Sequence, residues 1–199
     1  MRHYLLQTLA LILLLFTSNG LAADYTKGFD AYSEGDYATA LSEWRPLAEQ
    51  GDRDGQFGLG LLYANGWGVE LNDDQALKWY RLAVEQGHAE AAYNLAVMCA
   101  NGWGVPQSDD EAFKWYSIAA EGGFTTAQIS LGKMYAIGFG APQDNVQAHK
   151  WYGIAAMLDD YNAEFERDEL ARMMSPEDIA KAEELAAKWL ANFEAAQQQ

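Results

Sequence analysis

The feature of this sequence that most restricts its fold is an internal period of 36 residues. Ala-Asn-Gly-Trp-Gly-Val occurs at 64–69 and again at 100–105. Aligning 56–91 with 92–127 without a gap gives 17 identities in 36 positions. Repeats of this length are typical of solenoids, because a single unit cannot bury its apolar face until a neighbour stacks on it. The same step separates the Lys-Trp-Tyr copies at 78–80, 114–116 and 150–152, and it places a divergent copy of the first motif at 136–141.

Each unit has the pattern of two helices. In the first full unit, Leu59, Leu62 and Tyr63 stand three and four positions apart, which puts them on one helical face. Gly66 and Gly68 follow and end this helix, since glycine readily adopts the left-handed geometry of a C-cap. Acidic residues suit the start of the second helix, where they cap it and interact with its dipole. We predict these starts near Asp73-Asp74, Asp109-Asp110 and Asp144-Asn145.

The second helix of each unit carries alanine and aromatic residues on one stripe. In the first full unit these are Ala76, Trp79, Tyr80 and Ala83. Alanines at fixed positions let neighbouring helices approach closely, and the aromatic rings fill the space between units. The pattern therefore predicts an all-α, right-handed α-solenoid of helix-turn-helix repeats with period 36. We expect the interior to contain Trp79, Trp115 and Trp151.

The N-terminal segment 1–22 has the pattern of a signal peptide. Arg2 precedes an almost unbroken apolar run from Leu5 to Phe16, and small residues around Ala22 would suit a signal peptidase. The run is too short to span about 30 Å of hydrocarbon as a stable helix. An uncleaved anchor is the alternative interpretation. No later segment is long and apolar enough to cross a membrane, so we expect no embedded segment after cleavage.

The repeating residues resemble the Sel-1-like repeat family, a relative of the tetratricopeptide repeats. The resemblance implies an α-superhelix that acts as an adaptor or regulator, and exported bacterial members are associated with envelope assembly, signalling and host interaction. A few cysteine-rich relatives are linked to β-lactam binding or hydrolysis, but this chain has a single cysteine, Cys99. The third unit matches the family pattern at Leu131-Gly132, Tyr135, Gly138, Gly140, Pro142, Ala148, Trp151-Tyr152 and Ala155-Ala156.

The resemblance is strongest in the middle of the chain. Cys99, Ala96 and Ala141 depart from the family pattern of tyrosine, glycine and valine at those positions. These departures put local packing in doubt and leave the fold intact. We divide the chain into a signal peptide at 1–22, a tetratricopeptide-like leading unit at 24–51, Sel-1-like repeats at 54–160 and C-terminal capping helices at 161–196.

Charge restricts the class of partner. The chain has 13 basic and 29 acidic residues, a net charge of −16. Removing 1–22 deletes Arg2 and leaves 12 − 29 = −17. Because nucleic-acid binding requires lysine and arginine to neutralise phosphates, this balance disfavours nucleic acids, and it disfavours anionic lipid surfaces for the same reason. We expect a monomer that binds a protein or peptide, with a glycan as the alternative.

No group of residues has the spacing of a catalytic or metal site. His88 and His149 occupy different repeat positions and have no cysteine or histidine at metal-ligand spacing. The acidic pairs at helix starts are already explained by capping. We therefore predict no catalytic residue, no metal and no cofactor, and the protein is not expected to be an enzyme. A hydrolase acting on cell-wall or β-lactam substrates is the alternative.

Two sets of residues are candidate binding surfaces. Trp67, Trp103 and Phe139 recur at period 36 between two glycines. They form either a stacking ladder for a peptide or sugar, or rings that fold back onto the neighbouring unit. The second set varies between units at equivalent positions on the first helices, which is how repeat proteins encode specificity, although drift gives the same pattern. We interpret the position occupied by Gly58, Asn94 and Ser130 as facing solvent in each unit. The members of this set in the partner-binding prediction are Asn94, Ser130 and Lys133.

These observations predict an exported repeat adaptor that mediates protein–protein interaction in the cell envelope or outside the cell. The expected location is periplasmic or secreted. A stacked array would hold its side chains in fixed register, so that little ordering entropy is lost on binding.

Overall fold

The computed structural model describes residues 23–158 and 160–198, so the predicted signal peptide at 1–22 lies outside the described residues. Within these ranges the chain forms ten α-helices and no strand, which confirms the all-α solenoid. None of these helices is both long and apolar enough to cross a bilayer. The helices are α1 Tyr25–Ser33, α2 Tyr37–Glu49, α3 Arg53–Asn65, α4 Asp73–Glu85, α5 Ala89–Asn101, α6 Asp109–Glu121, α7 Thr125–Ile137, α8 Asn145–Ala156, α9 Tyr161–Ala171 and α10 Pro176–Gln197.

The helix starts follow the predicted period. The first helices α3, α5 and α7 begin at 53, 89 and 125, and the second helices α4, α6 and α8 begin at 73, 109 and 145. Each first helix packs against the second helix of its own unit and against the second helix of the unit before it. The two contacts join the units into one continuous stack.

The C-terminal helices play different roles. Helix α9 begins at 161, one further step of 36 residues, so it is the first helix of an incomplete fourth unit. Helix α10 begins at Pro176 and packs mainly on α8. Arg167 and Asp168 occupy the positions at which Leu59 and Gly60 stand in the first full unit. The Asp168 side chain is 57% exposed, which suits the outer side of a terminal repeat. Arg167 instead lies beside α8, where an added Cβ on Gly153 would be 4.0 Å from its Cδ.

Caps set the helix boundaries. The C-caps Gly66, Gly102 and Gly138 have φ of 68°, 74° and 72°, which confirms that glycine ends the first helices. The N-caps of α4 and α6 lie one residue earlier than the acidic pairs predict. They are Asn72, whose side chain accepts from the Gln75 N–H at 2.9 Å, and Ser108, whose hydroxyl accepts from the Glu111 N–H at 3.2 Å. The acids occupy the first turn.

An aromatic residue of each second helix fills the interior at a fixed position. Trp44 in α2 and Tyr80 in α4 stand 36 residues apart, and both are 1% exposed. The Tyr80 ring lies on Gly60, where an added Cβ would be 2.6 Å from Cδ1 of the ring. The predicted interior tryptophans behave unequally, because Trp151 is buried whereas Trp79 and Trp115 are only half-buried. In the first full unit the deepest ring is therefore that of Tyr80, which follows Trp79, whereas Tyr116 of the second unit is only half-buried.

Candidate functional site

The loop of each unit packs on the second helix of the unit before it. An added Cβ on Gly68 would lie 2.8 Å from the Tyr37 carbonyl oxygen, and one on Gly104 would lie 2.7 Å from the Asp73 Cβ. Both glycines also have positive φ, of 69° and 66°. Because a side chain at either position would be strained and would clash, the second glycine of the motif is needed for this contact. This contact places the aromatic residue that precedes each glycine beside the first residue of the second helix of the preceding unit.

The first of the three predicted rings folds back onto its neighbour. Trp67 stacks on Tyr37 with ring centroids 4.9 Å apart and an interplanar angle of 6°, and it also contacts Tyr32 at 5.5 Å. This agrees with the fold-back alternative, so Trp67 does not belong to an exposed ladder. The stacking partner is specific to this unit, because the residue 36 positions after Tyr37 is Asp73, which has no ring.

The other two predicted rings are exposed. Trp103 is 51% exposed and Phe139 is 47% exposed. Each lies beside a helix that begins with aspartate, Asp73 for Trp103 and Asp109 for Phe139. Their role in binding stays a prediction, since exposure alone shows only that these rings are accessible.

A recess lies between the first and second full units, beside Trp103. One hollow of about 110 Å³ is lined by Asn65, Asp73, Tyr80, Asn94 and Trp103. An adjoining hollow of about 330 Å³ shares Asn65, Asp73 and Trp103. We call these two hollows together the Trp103 recess. The structure therefore brings together two predicted site residues, Asn94 and Trp103.

The sequence prediction missed Asp73 and Tyr80 as recess residues. Both residues could have been identified by comparing positions 36 residues apart. Asp73 stands at the position of Tyr37, and Tyr80 stands at the position of the larger Trp44, so this junction has more open space than the preceding one. At the earlier junction Trp44 fills the space so completely that an added Cβ on Gly58 would lie 2.5 Å from its ring.

Gly58 is consequently not a solvent-facing counterpart of Asn94. It is buried against Trp44, and the interpretation of this position as exposed in every unit is corrected by that contact. The size of the aromatic residue in the preceding second helix decides whether the position can carry a side chain.

The Trp103 recess contains a carboxylate that is not paired with a basic side chain of the described residues. No lysine, arginine or histidine in the described ranges forms an ion pair with Asp73. The Asn65 Nδ2 donates to the Leu61 carbonyl at 2.9 Å, which leaves its Oδ1 for another donor. Burial raises the pKa of Tyr80, so its hydroxyl stays protonated at neutral pH. The recess thus combines a carboxylate, an amide oxygen and an indole face.

The remaining predicted residues lie one unit further along. The Ser130 hydroxyl donates to the Thr126 carbonyl at 2.9 Å, and the Lys133 Nζ lies 3.8 Å from the Glu166 Oε1. Neither Ser130 nor Lys133 lines the Trp103 recess. Their contribution to binding stays a prediction.

A related hollow occurs two units beyond the Trp103 recess. It has a volume of about 330 Å³ and is lined by Tyr152, Glu166 and Glu169, the residues 72 positions after Tyr80, Asn94 and Val97. Its acids already have cationic neighbours, since Lys133 pairs with Glu166 and Arg172 pairs with Glu169 at 2.6 Å. The acids of this hollow are therefore already paired within the described part of the chain, unlike Asp73 in the Trp103 recess.

His88 and Cys99 are packed among residues of the helical interior. His88 is the N-cap of α5, where its Nδ1 accepts from the Ala91 N–H at 3.2 Å, and its ring stacks on Phe57 at 4.2 Å. Burial lowers the pKa of His88 and raises that of the Cys99 thiol, which makes Cys99 a weak nucleophile. Across the described residues no cluster of three or more histidine, cysteine or acidic side chains is arranged to hold a metal ion.

Known proteins with similar sequences and folds share the 36-residue unit. The family model described as "Sel1 repeat" matches residues 53–88, 89–124 and 125–160. A Sel1 repeat protein from Oxalobacter formigenes, known from its crystal structure, is 38% identical with a TM-score of 0.61. That match covers 65% of this chain and 98% of the other chain.

Two further solved structures are similar over comparable parts of this chain. A protective antigen of uropathogenic Escherichia coli that displays an SLR fold is 29% identical with a TM-score of 0.51, over 78% of this chain and 41% of that one. Cysteine-rich protein B of Helicobacter pylori is 21% identical with a TM-score of 0.52, over 64% of this chain and 92% of that one, and this likeness concerns the fold alone. A search of curated proteins returned no match.

Proposed function

Because the chain belongs to the Sel1 repeat family, whose repeats generally mediate protein–protein interaction, we propose that it is an exported adaptor that binds an extended segment of a partner protein. The observation that carries the proposal is the Trp103 recess. Trp103 keeps half of its surface exposed there, and Asn94 adds a polar side chain to the same wall. Large aromatic residues beside polar groups are the commonest dominant contacts of protein interfaces.

The recess is held by rigid elements. Asn65 comes from the end of α3, Asp73 and Tyr80 come from α4, and Asn94 comes from α5. The loop that carries Trp103 is fixed by the packing of Gly104 on Asp73. Binding would therefore order few protein side chains, and the partner segment would lose most of the conformational entropy.

The sequence of 1–22 supports export, and the proposed location is the periplasm or the extracellular space. Mass spectrometry of the protein recovered from periplasmic and culture fractions of an expressing bacterium tests this. A mature N-terminus close to Ala23 supports export, whereas an intact chain starting at Met1 in the cytoplasm contradicts it.

Catalysis has less support than binding. Sel1 repeat proteins are typically non-catalytic. The described walls of the Trp103 recess contain the Asp73 carboxylate but no serine, cysteine or histidine that could form a nucleophile–base pair with it. The described part of this recess therefore lacks the catalytic residues that a cell-wall or β-lactam hydrolase would need.

Selection from a phage-displayed library of random twelve-residue peptides tests the binding proposal. Selected peptides should bind the wild type, and Trp103→Ala should weaken binding by roughly 30-fold, because a central tryptophan contributes about 2 kcal/mol or more. Tyr161→Ala is the matched control, since it removes an aromatic ring that is 83% exposed at the far end of the stack.

Equal affinity of the Trp103→Ala and Tyr161→Ala variants for the selected peptides would show that the recess is not the binding site. Failure of the library to yield any specific peptide, combined with binding of soluble oligosaccharides by the wild type alone, would favour the glycan alternative over the protein-binding proposal.

A further inference from the structure

The contact between each loop and the preceding unit exists in two chemical forms. At the first junction, Trp67 stacks on Tyr37, and the pair covers its own surface. At the next two junctions the residue equivalent to Tyr37 is Asp73 or Asp109, and the aromatic ring beside it stays exposed. We call each of these pairs an aromatic–aspartate slot. The two slots are Trp103 with Asp73, and Phe139 with Asp109.

The geometry holds the two members of each slot side by side. Asp73 and Trp103 line both hollows of the Trp103 recess. In the other slot, an added Cβ on Gly140 would lie 2.9 Å from the Asp109 carbonyl carbon, which shows how closely the Phe139 loop approaches that helix start. Both slots are built by the same glycine contact, so they are repeated in one orientation.

The carboxylates of the slots lack cationic partners. No basic side chain of the described residues lies within 4.0 Å of Asp73 or Asp109, although Lys114 pairs with the neighbouring Glu111. The Asp109 Oδ1 is in addition buried without any hydrogen-bond partner. A ligand donor at this slot would have to use the other oxygen of the Asp109 carboxylate, because Oδ1 has almost no accessible surface.

The helix start opposes a bound cation only weakly. A helix N-terminus carries a partial positive charge of about half a unit. Helix α4 begins with two acids, Asp73 and Asp74, and α6 begins with three, Asp109 to Glu111. Their negative charge exceeds that partial charge, and the chain as a whole has a net charge of −16.

These observations specify the chemistry of the occupant. We propose that the partner segment carries two basic side chains, lysine or arginine, one in each aromatic–aspartate slot. This inference rests on the proposed peptide-binding function and adds the class of side chain that is recognised. In each slot the ammonium or guanidinium group would pair with the aspartate and lie over the ring face.

The repeat also predicts the spacing of the two basic residues. Packed helices lie roughly 8–10 Å apart, and an extended chain advances about 3.3 Å per residue. Successive slots are one stacked unit apart, and a unit contains two helices, so the slots are separated by one to two helix-packing distances. The two basic side chains should therefore be about three to six residues apart in the partner.

Fluorescence anisotropy with defined peptides tests the proposal. The probes are labelled eight-residue peptides of alanine and glycine with two arginines three, four, five or six positions apart, in about 0.15 M salt. For the spacing that binds most tightly, the controls carry two glutamines or two glutamates at the same places. We expect the glutamine peptide to bind at least tenfold more weakly than the arginine peptide, and the glutamate peptide more weakly still.

Paired variants separate the slots from the overall negative charge. Asp73→Asn and Asp109→Asn should each weaken binding about fivefold, the equivalent of about 1 kcal/mol for one exposed ion pair, while the aromatic ring of the slot is unchanged. Asp74→Asn and Asp110→Asn remove the same charge from the same helix turns outside the slots, and they should weaken binding less than twofold. Thermal melts confirm that all four variants are folded.

Equal effects of Asp73→Asn and Asp74→Asn would overturn the proposal, because attraction would then be long-range and unspecific. Equal affinity for the arginine and glutamine peptides, or no binding of any arginine peptide at 1 mM, would overturn it as well. If library-selected peptides without basic residues bind and lose affinity in Trp103→Ala, the adaptor function stands and only the basic specificity is wrong. If selected peptides bind Trp103→Ala normally, the Trp103 recess is not the binding site, and the proposed function loses the observation that carries it.

Discussion

Replacement of Gly140 by alanine tests whether the loop contact between units holds the stack together. Gly140 has φ of 68°, and its added Cβ would lie 2.9 Å from both the Asp109 carbonyl carbon and the Phe113 Cβ. Gly87 is the matched control. It has φ of 81°, and nothing lies within 4 Å of an added Cβ there.

The two substitutions share one cost and differ in another. Placing alanine in the left-handed region costs roughly 1–2 kcal/mol at either position. At Gly140 the Cβ also meets the backbone of the preceding unit, which cannot move away by changing a rotamer, and such overpacking costs about 1–3 kcal/mol more. We therefore expect about 2–5 kcal/mol for Gly140→Ala and about 1–2 kcal/mol for Gly87→Ala, against a typical total stability of about 5–15 kcal/mol.

Urea denaturation followed by circular dichroism at 222 nm measures the difference. The midpoint for Gly140→Ala should fall clearly below that for Gly87→Ala, and its thermal midpoint should be lower by roughly 2–12 °C, at about 2–4 °C per kcal/mol for a chain of this size. Equal midpoints for the two variants would refute the reasoning, because the loop would then not press on the neighbouring unit.

Three further predictions concern positions outside the binding recess. Gly153→Ala should stabilise the protein by about 0.5–1 kcal/mol in urea denaturation, since this helical glycine has only the Arg167 Cδ, at 4.0 Å, near its added Cβ. The Cys99 thiol should react slowly with a thiol reagent in the native protein and quickly in denaturant, because it is buried and its pKa is raised. The free energy of unfolding should decrease as the pH falls from 7 to 5. Burial lowers the pKa of His88 in the folded state, so the unfolded chain takes up the proton at a higher pH than the folded chain does. The denaturation midpoint should fall less over this pH range in His88→Asn, whose side chain can still accept the N-cap hydrogen bond.

The period of 36 residues predicts most of the fold, because equivalent residues have equivalent neighbours in a stacked array. The C-cap glycines and the order of the helices follow from it directly. The exact N-caps were displaced by one residue, since Asn72 and Ser108 cap α4 and α6, and acids are equally favourable in the first turn. Local preference alone does not separate a cap from the residue after it.

The recognisable repeats end at residue 160, as the family match does, although the helical period goes on. Helix α9 begins one further step of 36 residues along the chain, but Arg167 and Asp168 replace the apolar residue and the glycine of a stacked unit, so the segment no longer resembles a repeat. The exposure of Asp168 suits a position that is not covered by a further unit.

The predicted binding residues were only partly brought together. Asn94 and Trp103 share one recess, whereas Trp67 is covered by Tyr37. The three rings of the motif look equivalent within their own loops, and what distinguishes them stands 30 or more residues earlier in the chain. A comparison of the residues 36 positions apart on both sides of each junction would have separated them, and it would have indicated Asp73 as well.

Binding at the Trp103 recess is tested most directly by a nuclear magnetic resonance titration of ¹⁵N-labelled protein with a library-selected peptide. We expect saturable shifts of the Trp103 indole N–H and the Asn94 side-chain amide, with little change at the buried Trp44 indole, whose N–H donates to the Tyr25 carbonyl at 3.2 Å. Shifts confined to α10, with the Trp103 and Asn94 signals unmoved at saturation, would contradict binding at this recess.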